Sequence, residues 1–322
     1  MRKLCLVPLA VVCTLVAASA SAAEVETIAL FDFAAFETPE SIQIDRHGNI
    51  YVSFLLTGEI RKVAPDGTQS TLAFLPLHPE SQPCQNSLGL PTLQGIALDH
   101  QGNAYASVHS CSVAHLGIWK VTPDGQQSLL ANLPGSTWPN GIAYHHGWLY
   151  VADSLQGVVW RIHADGPSPA EVWSDDPLLQ RAPTAPPGVT SANGLQIFKH
   201  EVYVSVGAGR LYIVAIPINS DGSAGPGRVH ASVRTDDFAF DVKGNLYAAG
   251  GTVTRVSPDG TSEILLTSAD GLDIPTSAAF GVQEDHKYLY VANGAFPFAP
   301  GQEPRRPSVM RLHIGIPGKP RP

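Results

Sequence analysis

From Pro39 to Ser53 the chain reads as an apolar-alternating run, a polar turn at Asp45–Asn49, and a second short strand ending in Tyr-Val-Ser. Period-two alternation on both sides of a Gly/Asn turn predicts a β-hairpin. The same pattern returns at Leu93–Ser107, Pro139–Asp153, Ala192–Val206 and Thr235–Gly250, and more loosely at Thr276–Asn293. The tyrosine of each second strand marks the register: Tyr51, Tyr105, Tyr150, Tyr203, Tyr247 and Tyr290. The marks are roughly 43 to 54 residues apart, the spacing of β-propeller blades built from four short strands. Six marks predict an all-β, six-bladed propeller with four-stranded antiparallel blades.

Each hairpin is followed by material for two further strands. In the first repeat Glu59–Ala64 leads through Pro65-Asp66-Gly67-Thr68 into Gln69–Leu75, and Pro-Asp-Gly recurs at Pro123–Gly125 and Pro258–Gly260. Pro sets φ for a tight turn and Gly relieves its end. With the strands of a blade called A to D from the inside outwards, the A–B and C–D turns are short and share one face. The B–C and D–A connections share the other. There Leu75–Thr92, Val108–Gly117, Ser174–Ser191 and Gly294–Pro307 are long and rich in Pro, Gly and polar residues. Long loops gathered on one side of a rigid scaffold carry function. After the sixth hairpin Val309–Ile314 supplies strand C and no strand D follows. Val25–Phe33 is the unused strand and is expected to pair with it, closing the ring in the last blade.

Residues 1–22 read as a secretory signal peptide: basic Arg2 and Lys3, apolar Leu4–Val16, and small Ala20-Ser21-Ala22. The apolar run is shorter than a bilayer span. The expected domain is therefore 23–322, a single propeller, secreted or periplasmic, with no membrane anchor. The formal charge of −8 becomes about −10 without the signal, and the absence of a basic patch excludes nucleic acid as an expected partner. A monomer acting on a small molecule is the expectation. Cys5 and Cys13 leave with the signal, so Cys84 and Cys111 are expected to form a disulfide. It would close a loop of about 28 residues, worth on the order of 3 kcal/mol. The alternative is a metal cluster of Cys111 with His109 and His115, which lacks a standard spacing.

Two positions before the first large core residue of each strand A stand Glu40, Gln94, Asn140, Asn193, Asp236 and Thr276. All six are polar and oxygen-bearing where alternation would allow apolar residues. They should encircle the channel mouth on the long-loop face. Two carboxylates about 6 Å apart repel by roughly 3 kcal/mol at an effective dielectric near 20, and no Lys or Arg holds this position in any blade. A divalent cation resolves the conflict. Hard oxygen ligands fit Ca²⁺ best, with Zn²⁺, Mn²⁺ or Mg²⁺ as alternatives. The competing account is that these residues only make turns at the start of a strand.

The chain resembles the senescence-marker-protein-30/gluconolactonase family of six-bladed propellers. The carriers are Pro39-Glu40, Pro139-Asn140-Gly141, Ala192-Asn193-Gly194-Leu195 and Asp236-Asp237-Phe238-Ala239-Phe240-Asp241, followed by Gly244-Asn245-Leu246-Tyr247. The resemblance implies one divalent metal, often calcium, held by Glu40, Asn140, Asn193 and Asp236. It also implies lactone hydrolysis with Asp236 as ligand and general base. The family commonly has Gly after its Glu and its Asp, where this chain has Ser41 and Asp237; Asp237 is therefore the rival ligand. Relatives include strictosidine-synthase-like and paraoxonase-like propellers. A non-catalytic binding propeller with a structural ion, or a lyase or isomerase on the same scaffold, are the competing functions. His109, Asp153, Asn293 and Gln94 are the candidate substrate-binding residues at the rim. No Gly-x-Ser-x-Gly elbow is present.

Overall fold

The computed structural model describes residues 25–77, 84–186, 189–207 and 209–320; the signal-peptide expectation falls outside these residues. Six four-stranded antiparallel sheets make six blades, five of them meanders of consecutive strands. The inner strands A are Pro39–Ile44, Thr92–Leu98, Pro139–His145, Ala192–Phe198, Asp237–Phe240 and Pro275–Phe280. The expected closure is present. Val25–Leu30 pairs antiparallel with Ser308–His313, so the first strand of the chain completes the last blade.

The repeated sequence has a local cause at the A–B turns. In the first, second and fifth blades an aspartate opens the turn and its Oδ1 accepts the N–H of Asn49, Asn103 or Asn245 at 3.0, 2.9 and 3.0 Å. The same asparagine donates from Nδ2 to the aspartate's Oδ2. The register tyrosine then bonds that oxygen, at 3.0 Å for both Tyr105 and Tyr247. The left-handed position between them is filled by Gly48, Gly102 or Gly244, with φ of 85°, 86° and 86°. One aspartate thus fixes a turn and anchors an aromatic ring that packs between blades. The core is correspondingly divided into clusters that bridge neighbouring sheets, such as Tyr105, Ile142, Leu149 and Trp160.

The Cys84–Cys111 disulfide is formed, with Cα atoms 4.6 Å apart. It ties the loop before the second blade to a loop within that blade. The alternative cluster of Cys111, His109 and His115 is thereby overturned, because the sulfur is already bonded to Cys84. Among the described residues no helix is long and apolar enough to cross a membrane.

A candidate metal centre at the channel mouth

The six ring residues reach the channel because strand A carries an extra residue at that point in every blade. In the first, pairing passes from Pro39↔Phe54 to Ser41↔Ser53, leaving Glu40 without a cross-strand partner. Equivalent shifts occur between Leu93 and Ile96, Pro139 and Ile142, Ala192 and Leu195, and Pro275 and Ser277. In the fifth blade Asp236 N–H donates to Ala249 O at 2.7 Å while Asp237 pairs with the same Ala249. Two residues against one is a β-bulge, which turns a side chain out of the ladder.

Behind the ring the inner strands crowd together. A Cβ on Gly95 would lie 2.6 Å from Asn140 O, and one on Gly141 would lie 2.6 Å from Asn193 O. Glycine here lets adjacent strands touch through their backbones. Two matched serines on strand B, Ser53 and Ser205, stitch across the gap. They donate to Gln94 O at 2.7 Å and to Asp236 O at 2.6 Å in the next blade. One tier further in, Gln43, Ala97, Ala143, Gln196, Ala239 and Ala279 line the channel, and it widens into a cavity of about 380 Å³ open to the short-turn face. This larger cavity lacks converging carboxylates of the ring and is not the candidate centre.

Glu40, Asn140, Asp236 and Asp237 line one small cavity of about 10 Å³ at the axis, beside Gly95, Gly141 and Thr276. That is the volume of about one water-sized sphere. Asn193 joins them by donating from Nδ2 to Asp236 Oδ1 at 2.5 Å. Asn140 is held by its Nδ2, which donates to Ser154 Oγ at 3.2 Å. With its amide oriented so that both ends find partners, Gln94 donates N–H to Glu40 Oε1 at 2.8 Å and accepts from Trp138 Nε1 at 3.1 Å. On Glu40, Asn193 and Asp237, three buried oxygens are left without any partner: Glu40 Oε2, Asn193 Oδ1 and Asp237 Oδ1. Each costs about 1–3 kcal/mol in that state.

Charge makes the cost larger. Burial, then the charges of Asp236 and Asp237, push the Glu40 carboxyl well above its ordinary range. Burial raises Asp236 to about 7, against the Asn193 bond and the nearby Arg234. Burial also raises Asp237 to about 7, helped by the charge of Asp236 and opposed by bonds from Phe238, Gln196 and Ser277. The donor set therefore fits a hard cation: orphaned carboxylate and amide oxygens around one axial void. Among the described residues no three of His, Cys, Asp and Glu stand at metal-binding spacing. The set is complete only if the asparagine oxygens contribute.

The four rim candidates divide. Gln94 bonds the ring directly. His109 is 1% exposed; its Nδ1 lies 3.0 Å from Thr137 O, its ring 5.9 Å from that of Trp138, and its Nε2 has no partner. Burial lowers it to about 4, so it is neutral. Asp153 is enclosed, and its oxygens accept from Trp138 N, Leu155 N, Gln156 N and Trp160 Nε1 at 3.0, 3.0, 3.1 and 2.9 Å. Asn293 is likewise enclosed. It accepts from Asp273 N at 3.2 Å and donates to Ser308 Oγ at 3.2 Å. These two side chains hold the rim loops together. Register with the other strands A singles out Asp236 and leaves Asp237 as its rival. The bulge brings both to the axis.

No protein-family model and no curated protein sequence matches the chain. Solved structures do. A gluconolactonase from Xanthomonas campestris superposes with a TM-score of 0.61 at 20% identity, over 92% of this chain and 90% of that one. A luciferin-regenerating enzyme gives 0.65 at 15% identity, over 92% and 97%. Regucalcin, a calcium-binding protein from Agrobacterium tumefaciens, gives 0.64 at 14% identity, over 93% and 96%. At these identities the likeness is one of architecture: the chain has the same six-bladed fold as these proteins along nearly its whole length.

Proposed function

We propose that the chain is a secreted hydrolase that depends on a divalent metal and opens a lactone or related ester at the channel mouth. Glu40, Asn140, Asn193 and Asp236 would hold the ion, with Ca²⁺ the best match to the donors. The observation that carries this reading is the set of buried oxygens without partners, Glu40 Oε2 and Asn193 Oδ1 among them. Structural similarity to a gluconolactonase and to a calcium-binding propeller supports it. When bound, the cation would offset the carboxylates and polarise a substrate carbonyl.

The chain's own residues supply the rest. Asp236 sits at the cavity wall with one oxygen fixed by Asn193. It takes a proton from water as the water oxygen adds to the lactone carbonyl. The ring C–O bond then breaks, and the same carboxyl returns the proton to the departing alkoxide. Gln94, locked between Glu40 and Trp138, and His109, whose Nε2 is bare, orient substrate hydroxyls at the rim. Metal analysis of the purified protein, followed by a lactone panel with and without chelator, tests the reading. Asp236→Ala should abolish metal binding and turnover together. Loss of metal with hydrolysis intact would remove the mechanism. The small free volume at the axis favours one competing account, a binding propeller with a structural ion. Tight metal with no turnover of any ester would select it.

A further inference from the structure

We propose that Asp237 binds the ion together with Asp236 rather than in place of it: the carboxylates do not by themselves form a cluster of three at binding spacing, and the bare oxygen of Asp237 closes on a cation that the asparagine oxygens also hold, so that the loaded centre favours hard, highly charged cations. The inference rests on the metal reading above. Its grounds are geometric. Asp236 and Asp237 stand against the same Ala249, and both line the axial cavity. At this tier three blades have Gly95, Gly141 and Gly194, and two others have Ser41 and Ser277. Asp237 alone brings a carboxylate to it.

The carboxylate is also oriented. Its Oδ2 accepts from Ser277 Oγ at 3.3 Å and from Gln196 Nε2 at 3.4 Å. Ser277 Oγ in turn accepts from Ile42 N at 3.4 Å. The two donors to the carboxylate come from the flanking blades, and both engage one oxygen only. Oδ1 is buried and has no partner. A structural aspartate would be expected to use both oxygens, as Asp153 does with four N–H donors. A carboxylate with one oxygen pinned and the other bare, on a residue that lines the same cavity as Glu40, is built as a ligand. Charge count and rigidity set affinity at oxygen sites, so a third carboxylate raises preference for Ca²⁺ and trivalent lanthanides over softer ions.

The test uses the secreted chain stripped with chelator, and Ca²⁺ and Tb³⁺ as probes. Wild type, Asp237→Asn, Asp237→Ser and Asp236→Asn are compared by calorimetric titration, melting temperature and Tb³⁺ luminescence lifetime in H₂O and D₂O. Asp237→Asn keeps the shape and removes the charge. It should melt higher than wild type without metal, gain less on adding Ca²⁺, and bind Ca²⁺ about tenfold or more weakly. Asp237→Ser, which copies Ser41 and Ser277, should add one water to bound Tb³⁺. Wild-type affinity and hydration in both Asp237 variants, with binding lost in Asp236→Asn, would overturn this inference and leave the metal reading standing. A wild-type protein that takes up neither ion would overturn both.

Discussion

Asp153 shows how far a polar residue at a functional rim can be from free. It is fully enclosed, and burial raises its carboxyl above the ordinary range despite four N–H donors. Three of those donors are backbone groups of Trp138, Leu155 and Gln156, and the fourth is the indole of Trp160. Trp138 itself donates to Gln94 at the ring. Asp153 therefore positions the wall behind the centre. Asp153→Asn turns an amide N–H₂ towards groups that can only donate, and should cost about 2–4 kcal/mol in urea unfolding. Ca²⁺ stoichiometry should stay that of the wild type in the protein that remains folded. An unchanged urea midpoint would show that these bonds do not brace the rim. Counting residues back from the core hydrophobes singles out Glu40, Asn140 and Asp236, which line one small cavity, and Asn193, which bonds Asp236. It could not tell an oxygen committed to backbone N–H groups from one left bare, because that depends on loop geometry at Trp138 and Asp273, not on residue type.

Strand A does two jobs at once, and the bulge separates them. Below it, Ile42, Ile96, Ile142, Leu195 and Phe238 alternate into the core. At it, one extra residue turns an oxygen to the axis. Glycine at 95, 141 and 194 then brings each bulge against the next blade. Gly141→Ala would place a methyl 2.6 Å from Asn193 O, and overpacking of this kind costs about 1–3 kcal/mol. The expected result is a lower melting temperature together with weaker Ca²⁺ binding, since the strand pushed aside carries Asn193. A variant that loses stability but binds Ca²⁺ as wild type does would show that the ligands are not set by strand spacing. The strands themselves were legible, down to the pairing of the first with the last, because Asp-x-x-Gly-Asn-x-Tyr writes its own turn and anchors its own ring. The bulges were not. Their register differs from regular pairing by one residue, and a polar residue at the start of a strand reads the same whether the ladder passes over it or through it.

At the scale of the whole ring, the centre joins blades that are distant in sequence, so its charge state is a property of the assembled fold. Unfolding sends Asp236 and Asp237 back towards their ordinary value of 3.8 from about 7. A carboxyl whose value is raised by folding holds its proton longer in the folded chain than in the unfolded one. Its contribution to stability is complete below the unfolded value and is lost as pH rises through the folded value. Metal-free protein should therefore melt progressively lower between about pH 4 and pH 7, by on the order of 5–10 °C. Glu40, whose carboxyl burial also raises, adds a loss of the same sign as pH rises. Cation binding reverses the sign, because the ligands must be ionised to hold it and affinity falls as they protonate. With saturating Ca²⁺ the melting temperature should instead rise with pH across the same window, and the two curves should diverge most near neutrality. Differential scanning calorimetry in chelator and in millimolar Ca²⁺ measures both curves on one sample. The Cys84–Cys111 link is intact in both and cancels. Parallel curves would mean that the acids at the axis are neutralised by something other than a bound ion, and the centre would have to be sought elsewhere in the ring.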